Sequence, residues 1–126
     1  MTASKLLIVD DEPLTVEMLS TFLEINGYTC AGAYSGTDGL LLLQTEKPDL
    51  MILDLMMPDM EGYEVCEKVR NNTEFAKTPV LIMSARTDPE SIEKAYKSGA
   101  NAYMTKPPDL MALLTEIARL ATPAAS

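Results

Sequence analysis

The sequence predicts an α/β fold: a single doubly wound parallel sheet of five strands with helices on both faces. Three observations carry the prediction. Short aliphatic runs at Leu6–Val9, Leu50–Leu53 and Val80–Met83 show no polar alternation, as expected of strands buried on both faces. Segments with helical apolar spacing lie between them. The strand-then-helix unit occurs five times, and each helix must carry the chain back across the sheet, so the strands run parallel.

Taken in order, Leu6–Val9 leads into a helix whose apolar stripe is Leu14, Met18, Leu19, Phe22 and Leu23. Pro13 suits its first turn, where a missing N–H is harmless, and Gly27 suits its end. Tyr28–Ala33 is a weaker second strand. Gly36 to Lys47 forms the second helix, closed by Pro48. It contains four consecutive leucines, Leu40 to Leu43. Successive helical positions turn by about 100°, so the four cannot all face the core. The run predicts either a leucine standing singly on the surface or a patch for a partner. Leu50–Leu53 is the third strand, and Tyr63, Cys66 and Val69 mark the third helix. After Val80–Met83, the fourth helix starts behind Asp88-Pro89, carries Ile92, Ala95 and Tyr96, and stops at Gly99. Ala102–Thr105 is a short fifth strand. Behind Pro107-Pro108, Leu110, Leu113, Leu114, Ile117 and Leu120 give the clearest helical spacing in the chain. The domain is expected over residues 1–121, with 122–126 a frayed end or the start of a linker.

A chain of 126 residues is one domain by size and hides roughly two-thirds of its unfolded surface. The balance is acidic: 19 Asp plus Glu against 10 Lys plus Arg, net −9. That argues against direct nucleic-acid binding, which needs basic patches, and fits partners that are proteins or cations. There is no histidine, which removes histidine catalysis and histidine metal sites. Cys30 and Cys66 lack metal-like spacing and are expected to be buried small residues in a reducing compartment. No apolar run approaches the ~20 residues of a membrane helix, and the start MTASK has no signal-peptide core, so no membrane contact and a cytoplasmic location are expected.

Chemistry collects at the strand ends. The stretch LLIVDDEP puts Asp10, Asp11 and Glu12 directly behind the first strand; MILD ends on Asp54, LIMS on Ser84, and YMTKP on Lys106. Right-handed crossovers bring all these ends to one edge, where ligands of such sheets bind. Three carboxylates within ~5 Å would repel by about 3 kcal/mol per pair at an effective dielectric of 20, a large part of a domain's ~5–15 kcal/mol. Protonating one carboxylate would relieve this, and so would a hard cation bound by oxygen, which selects Mg²⁺, Mn²⁺ or Ca²⁺; Lys106 supplies part of the compensation. Glu12 reads simply as an acid favoured at a helix N-terminus. A carboxylate that accepts a phosphoryl group, with a cation, a lysine and a hydroxyl around it, is phosphoryl-transfer chemistry.

These pieces, VDDEP, ILDLMMPDMEGYE, SAR and GANAYMTKP, stand in the order and spacing of a receiver domain of two-component response regulators, which the chain resembles from about Lys5 to Leu120. The resemblance implies a flavodoxin-like sheet of order 2-1-3-4-5. It implies that Asp54 is the phosphoacceptor and that Asp10, Asp11, Asp54 and the Met56 carbonyl form the Mg²⁺ site. Ser84 and Lys106 would contact the phosphoryl group, and Ser84 and Tyr103 would form a switch; Tyr103 on its own reads as a half-buried packing residue. Pro107 would follow a cis bond. The domain would catalyse its own phosphorylation and dephosphorylation. The implied partners are a sensor histidine kinase or histidine phosphotransfer protein, and an output domain or second copy at the face of the fourth helix, fifth strand and fifth helix. The tandem Pro108 departs from the family and stiffens the approach to the last helix.

Three rivals fit less well. A haloacid-dehalogenase phosphohydrolase needs a second Asp two residues beyond the nucleophile, where Met56 stands. A flavodoxin-type cofactor carrier needs a Ser/Thr/Gly loop after the first strand, where DDEP stands. A degenerate receiver acting only as a binding module would have lost an acid, Ser84 or Lys106, and none is lost.

Overall fold

The computed structural model describes residues 4–121; the tail expected at 122–126 lies outside them. Five strands and five helices alternate: β1 (Lys5–Val9), α1 (Pro13–Ile25), β2 (Thr29–Ala33), α2 (Gly36–Glu46), β3 (Leu50–Asp54), α3 (Gly62–Asn71), β4 (Val80–Ser84), α4 (Pro89–Lys97), β5 (Ala102–Thr105) and α5 (Leu110–Leu120). The strands form one parallel sheet in the order β2-β1-β3-β4-β5. The switch point therefore falls between β1 and β3, whose ends carry the acids.

The two-residue period of a strand explains the uniform aliphatic runs. Leu7, Val9, Met51, Leu53, Val80 and Ile82 join one core cluster with Leu43, Val65 and Val69. Their neighbours Leu6, Ile8, Leu50, Ile52, Leu81 and Met83 join the other, with Val16, Leu19, Leu23, Leu113 and Ile117. Each central strand thus needs an apolar residue at every position, facing α2 and α3 on one side and α1 and α5 on the other.

Helix ends follow local chemistry. Ser35, Asp88 and Asp109 accept the backbone N–H of Asp38, Ser91 and Ala112 and so cap α2, α4 and α5. Gly27 and Gly99 take positive φ where α1 and α4 stop.

Two details differ from the expected pattern, and a third decides between two expectations. In α1 the face against the sheet is Val16, Leu19 and Leu23, whereas Leu14 and Ile25 are 79% exposed and Met18 48%. Leu14 and Met18 form a competing i, i+4 row that points away from the sheet. In the leucine run Leu43 is buried and Leu41 stands exposed, the single surface leucine of the first alternative. Cys66 is buried as expected, but Cys30 is only half-buried, on edge strand β2. Burial and the nearby Glu24 push its thiol up to about 11, so it stays an unreactive thiol.

At the sheet edge opposite the acids, Arg70 ties α3 to the loops before β4 and before β5. Its guanidinium donates to the carbonyls of Gly99 (2.9 Å), Ala76 (3.1 Å) and Thr78 (2.7 Å) and to Asn101 Oδ1 (2.7 Å). Asn101 Oδ1 also accepts the N–H of Val80, the first residue of β4. Arg70→Ala is expected to cost about 2–3 kcal/mol in chemical denaturation. Arg70→Lys should recover less than half, because an ammonium cannot span that planar fan.

Candidate functional site: an acid pocket at the switch point

Apart from Tyr103, which lies within β5, each predicted site residue sits at a strand end or just beyond it, on the carboxyl edge of the sheet. Asp10 follows β1 and is 4% exposed, Asp54 ends β3 at 7%, and Ser84 ends β4 at 0%. Asp11 lies further out, but one carboxylate oxygen each from Asp10, Asp11 and Asp54 lie within 4.8 Å of one another. Lys106, after β5, reaches into this cluster. Its Nζ is 2.7 Å from Asp10 Oδ2 and 3.6 Å from Asp54 Oδ2. The Lys106–Pro107 bond is cis.

Asp10 is fully engaged: its other oxygen accepts the Glu12 N–H at 2.9 Å. Asp54 is not. Its Oδ1 has only a long 3.4 Å bond from the Met56 N–H. Burial and then the charge of Asp10 raise the Asp54 carboxyl above the usual aspartate range, against the lowering pull of Lys106 and the Met56 N–H. For Lys106, burial opposes the charge, but the hydrogen bond to Asp10 and the charges of Asp54 and Asp10 outweigh it, and the ammonium is held above the usual lysine range. One cation is thus shared by two buried acids, with a third acid alongside. An all-oxygen, acid-rich donor set with incomplete compensation is what a hard divalent ion fits.

The hydroxyl side of the pocket continues into the β4–α4 loop. Ser84 Oγ accepts the Arg86 N–H at 3.1 Å, and the Lys106 N–H donates to the Ser84 carbonyl at 2.8 Å. The Arg86 carbonyl accepts the Tyr103 hydroxyl at 2.8 Å, while the Tyr103 ring packs against the core cluster on the α3 side. The Arg86 guanidinium reaches Ser91 Oγ in the first turn of α4 at 3.3 Å. The Tyr63 hydroxyl of α3 donates to the Ser91 carbonyl, also at 3.3 Å, with Lys94 Nζ 4.5 Å above its ring. A cavity of about 640 Å³ opens beside Asp11 and Met56, walled by Tyr63, Arg86, Ser91 and Lys94.

Two residues between β3 and the first turn of α3 make close contacts that no periodic pattern marks. Gly62 lets α3 start directly against the carboxyl end of β3: a Cβ there would overlap the Asp54 carbonyl oxygen and lie 2.8 Å from Leu55 Cα. Asp59 accepts three hydrogen bonds from the start of α2. The only sequence trace of either is the turn signal PDMEG.

A doubly wound parallel sheet with buried acids, a hydroxyl and a lysine gathered at its switch point defines an α/β domain with an acidic, cation-fitting pocket at its ligand edge. The comparisons agree, and the chain belongs to the response regulator receiver domain family, whose sequence model matches residues 6–118. It is 35% identical over 116 residues to the DNA-binding dual master transcriptional regulator RpaA of Synechocystis sp., covering 92% of this chain and 48% of that protein. It is 32% identical over 114 residues to protein PilH of Pseudomonas aeruginosa, covering 90% and 94%. The chain therefore spans about half the length of the transcriptional regulators it matches and nearly all of PilH. Among solved structures, a putative response regulator from Chloroflexus aurantiacus superposes with TM-score 0.90 at 31% identity, covering 94% of this chain and 98% of that one. The chemotaxis protein CheY4 of Vibrio cholerae gives 0.88 at 31%, with the same coverage. Among the described residues, no helix is long and apolar enough to cross a membrane.

Proposed function

We propose that this receiver domain takes a phosphoryl group onto Asp54 from a phosphohistidine donor and uses it to reset the face formed by α4, β5 and α5. The observation that supports the reading most is the convergence of buried Asp10, Asp54 and Ser84 with Lys106 at one sheet edge. Asp54 supplies the nucleophilic carboxylate oxygen; the donor's P–N bond breaks as the P–O bond to Asp54 forms, and the imidazole leaves. Asp10, Asp11, Asp54 and the Met56 carbonyl would hold Mg²⁺, which neutralises charge on the transferred oxygens. Lys106 adds a fixed positive charge, and the Ser84 hydroxyl, which accepts the Arg86 N–H and interacts with the Tyr103 side chain, would turn to donate to the phosphoryl group.

The donor needs a docking edge next to Asp54. The exposed Leu14, Met18 and Ile25 lie along α1, starting beside Asp11. Their spacing, with Thr21 between, is the 4-3-4 of a helix–helix seam. Glu17 and Glu24 flank it, and α1 has no Lys or Arg, so a helical partner with an apolar seam and basic flanks fits.

The switch runs through Arg86. Turning the Ser84 hydroxyl toward an added phosphoryl group disturbs the Arg86 backbone, whose carbonyl holds Tyr103. The Tyr103 ring is already half-buried, so the burial still available is about 1–2 kcal/mol, a bias of roughly five- to thirty-fold between two states. Beryllofluoride, a phosphoryl mimic on Asp54, is expected to shift amide NMR signals at the pocket and across α4, β5 and α5. The shifts on that face should collapse in a Ser84→Ala, Tyr103→Ala double variant while the pocket shifts remain. Shifts confined to the pocket in the wild type would refute the switch; no shifts at all would refute the phosphoacceptor reading.

A further inference from the structure

We propose that Asp59 is a positioning residue for the metal pocket: by fastening the β3–α3 loop to α2, it holds the Met56 carbonyl in place and so sets the Mg²⁺ affinity. This rests on reading the acid pocket as a Mg²⁺ site.

The loop over residues 55–61 has buried anchors on either side of Met56. Leu55 is 2% exposed and Met57 8%, whereas the Met56 side chain is 56% exposed. What Met56 offers inward is backbone, and its N–H already leans on Asp54 Oδ1. Leu55 is further tied by its carbonyl, which accepts the Gly62 N–H at 2.8 Å. The stretch between Met57 and Gly62 has another fastening. Asp59 Oδ1 accepts the Gly36 N–H at 3.0 Å, and Oδ2 accepts the Thr37 N–H at 2.9 Å and the Thr37 hydroxyl at 2.8 Å.

This is a cap supplied from elsewhere in the chain. The helix's own cap, Ser35, serves only the Asp38 N–H, so the first two N–H groups of α2 depend on Asp59. The contact is also close-fitting. A Cβ on Gly36 would lie 3.0 Å from both Met60 Cβ and Val65 Cγ2, so the Met60 side chain of the loop and Val65 of α3 pack directly on the helix start. The bonds from Thr37 and Gly36 hold the Asp59 carboxyl below the usual aspartate range, consistent with an ionised clamp. Cutting it leaves α2 with its Ser35 cap and leaves Met56 held by its buried neighbours Leu55 and Met57, with the stretch from Pro58 to Glu61 no longer tied to α2.

Ser35 provides the control. Ser35→Ala removes a cap from the same helix without touching the loop. Mg²⁺ titrations followed by amide NMR shifts of Asp11 and Met56, on unphosphorylated protein, compare wild type, Asp59→Ala, Asp59→Asn and Ser35→Ala. Groups that orient metal ligands typically change affinity by about 10–100-fold. Asp59 acts through the loop, and Asp59→Ala is expected to weaken Mg²⁺ binding about ten-fold. Asp59→Asn, whose single amide oxygen still accepts one N–H, should fall between, and it carries the test if the alanine variant does not fold. Ser35→Ala should lose stability but stay within about two-fold of wild-type affinity. Equal affinity in Asp59→Ala and wild type, or equal weakening in Asp59→Ala and Ser35→Ala, overturns the positioning role. No Mg²⁺ response in the wild type overturns the pocket reading itself, and the positioning claim with it.

Discussion

Asp54→Asn is expected to melt at a higher temperature than the wild type at pH 7 in metal-free buffer, although it removes the group at the centre of the site. Asp54 is buried, faces Asp10, and shares Lys106 with an acid that sits closer to it. Its charge therefore works against the fold. Removing that charge should stabilise by about 1–3 kcal/mol, a Tm rise of roughly 3–10 °C for a domain of this size. The pH dependence follows from the raised carboxyl. A group whose folded value lies above its unfolded one stabilises fully when protonated, below the ordinary aspartate value of 3.8. That contribution is lost as pH rises through the folded value. The gap between variant and wild type should thus be small near pH 4, open above it, and be widest at neutral pH. Millimolar Mg²⁺ should narrow it by stabilising the wild type alone. A lower melting temperature for Asp54→Asn in chelator would contradict the picture of an under-compensated pocket.

Gly62→Ala should be the most damaging small substitution near the site, at about 2–4 kcal/mol. The added methyl would meet the Asp54 carbonyl oxygen and Leu55 Cα. Both are backbone, and neither can rotate away. Strand β3 and helix α3 would have to part, which moves Asp54 and should also blunt the response to Mg²⁺. Gly27→Ala is the informative comparison. Its φ is +95° but nothing lies within 4 Å of its Cβ, so only backbone strain of about 1–2 kcal/mol applies. Urea denaturation of the two variants separates steric from conformational cost. Equal losses would mean that α3 tolerates displacement and that the close approach has no structural role.

Much of this architecture was legible because it is written locally. Central strands with helices on both faces need aliphatic residues at every position, and Leu50–Leu53 and Val80–Met83 say so without help from distant residues. The polar residue closing each run marks the carboxyl edge, so Asp10, Asp54, Ser84 and Lys106 could be placed together once the strands were taken as parallel neighbours. In α1 the pattern was ambiguous for a physical reason: the helix is apolar on two sides, and periodicity alone cannot say which side meets the sheet. The Asp59 contact to α2, the Arg70 fan and the Tyr103 bond to the Arg86 carbonyl left no periodic trace. Each pairs a side chain with backbone of another element, and such pairs exist only once the elements have packed.

The most direct measurement is intact-protein mass after incubation with acetyl phosphate and Mg²⁺, run on wild type, Asp54→Asn and Lys106→Ala. The account predicts one added phosphoryl group on the wild type, none on Asp54→Asn, and strongly reduced uptake by Lys106→Ala. Uptake by Asp54→Asn equal to wild type, or none by the wild type with Mg²⁺ present, would contradict it.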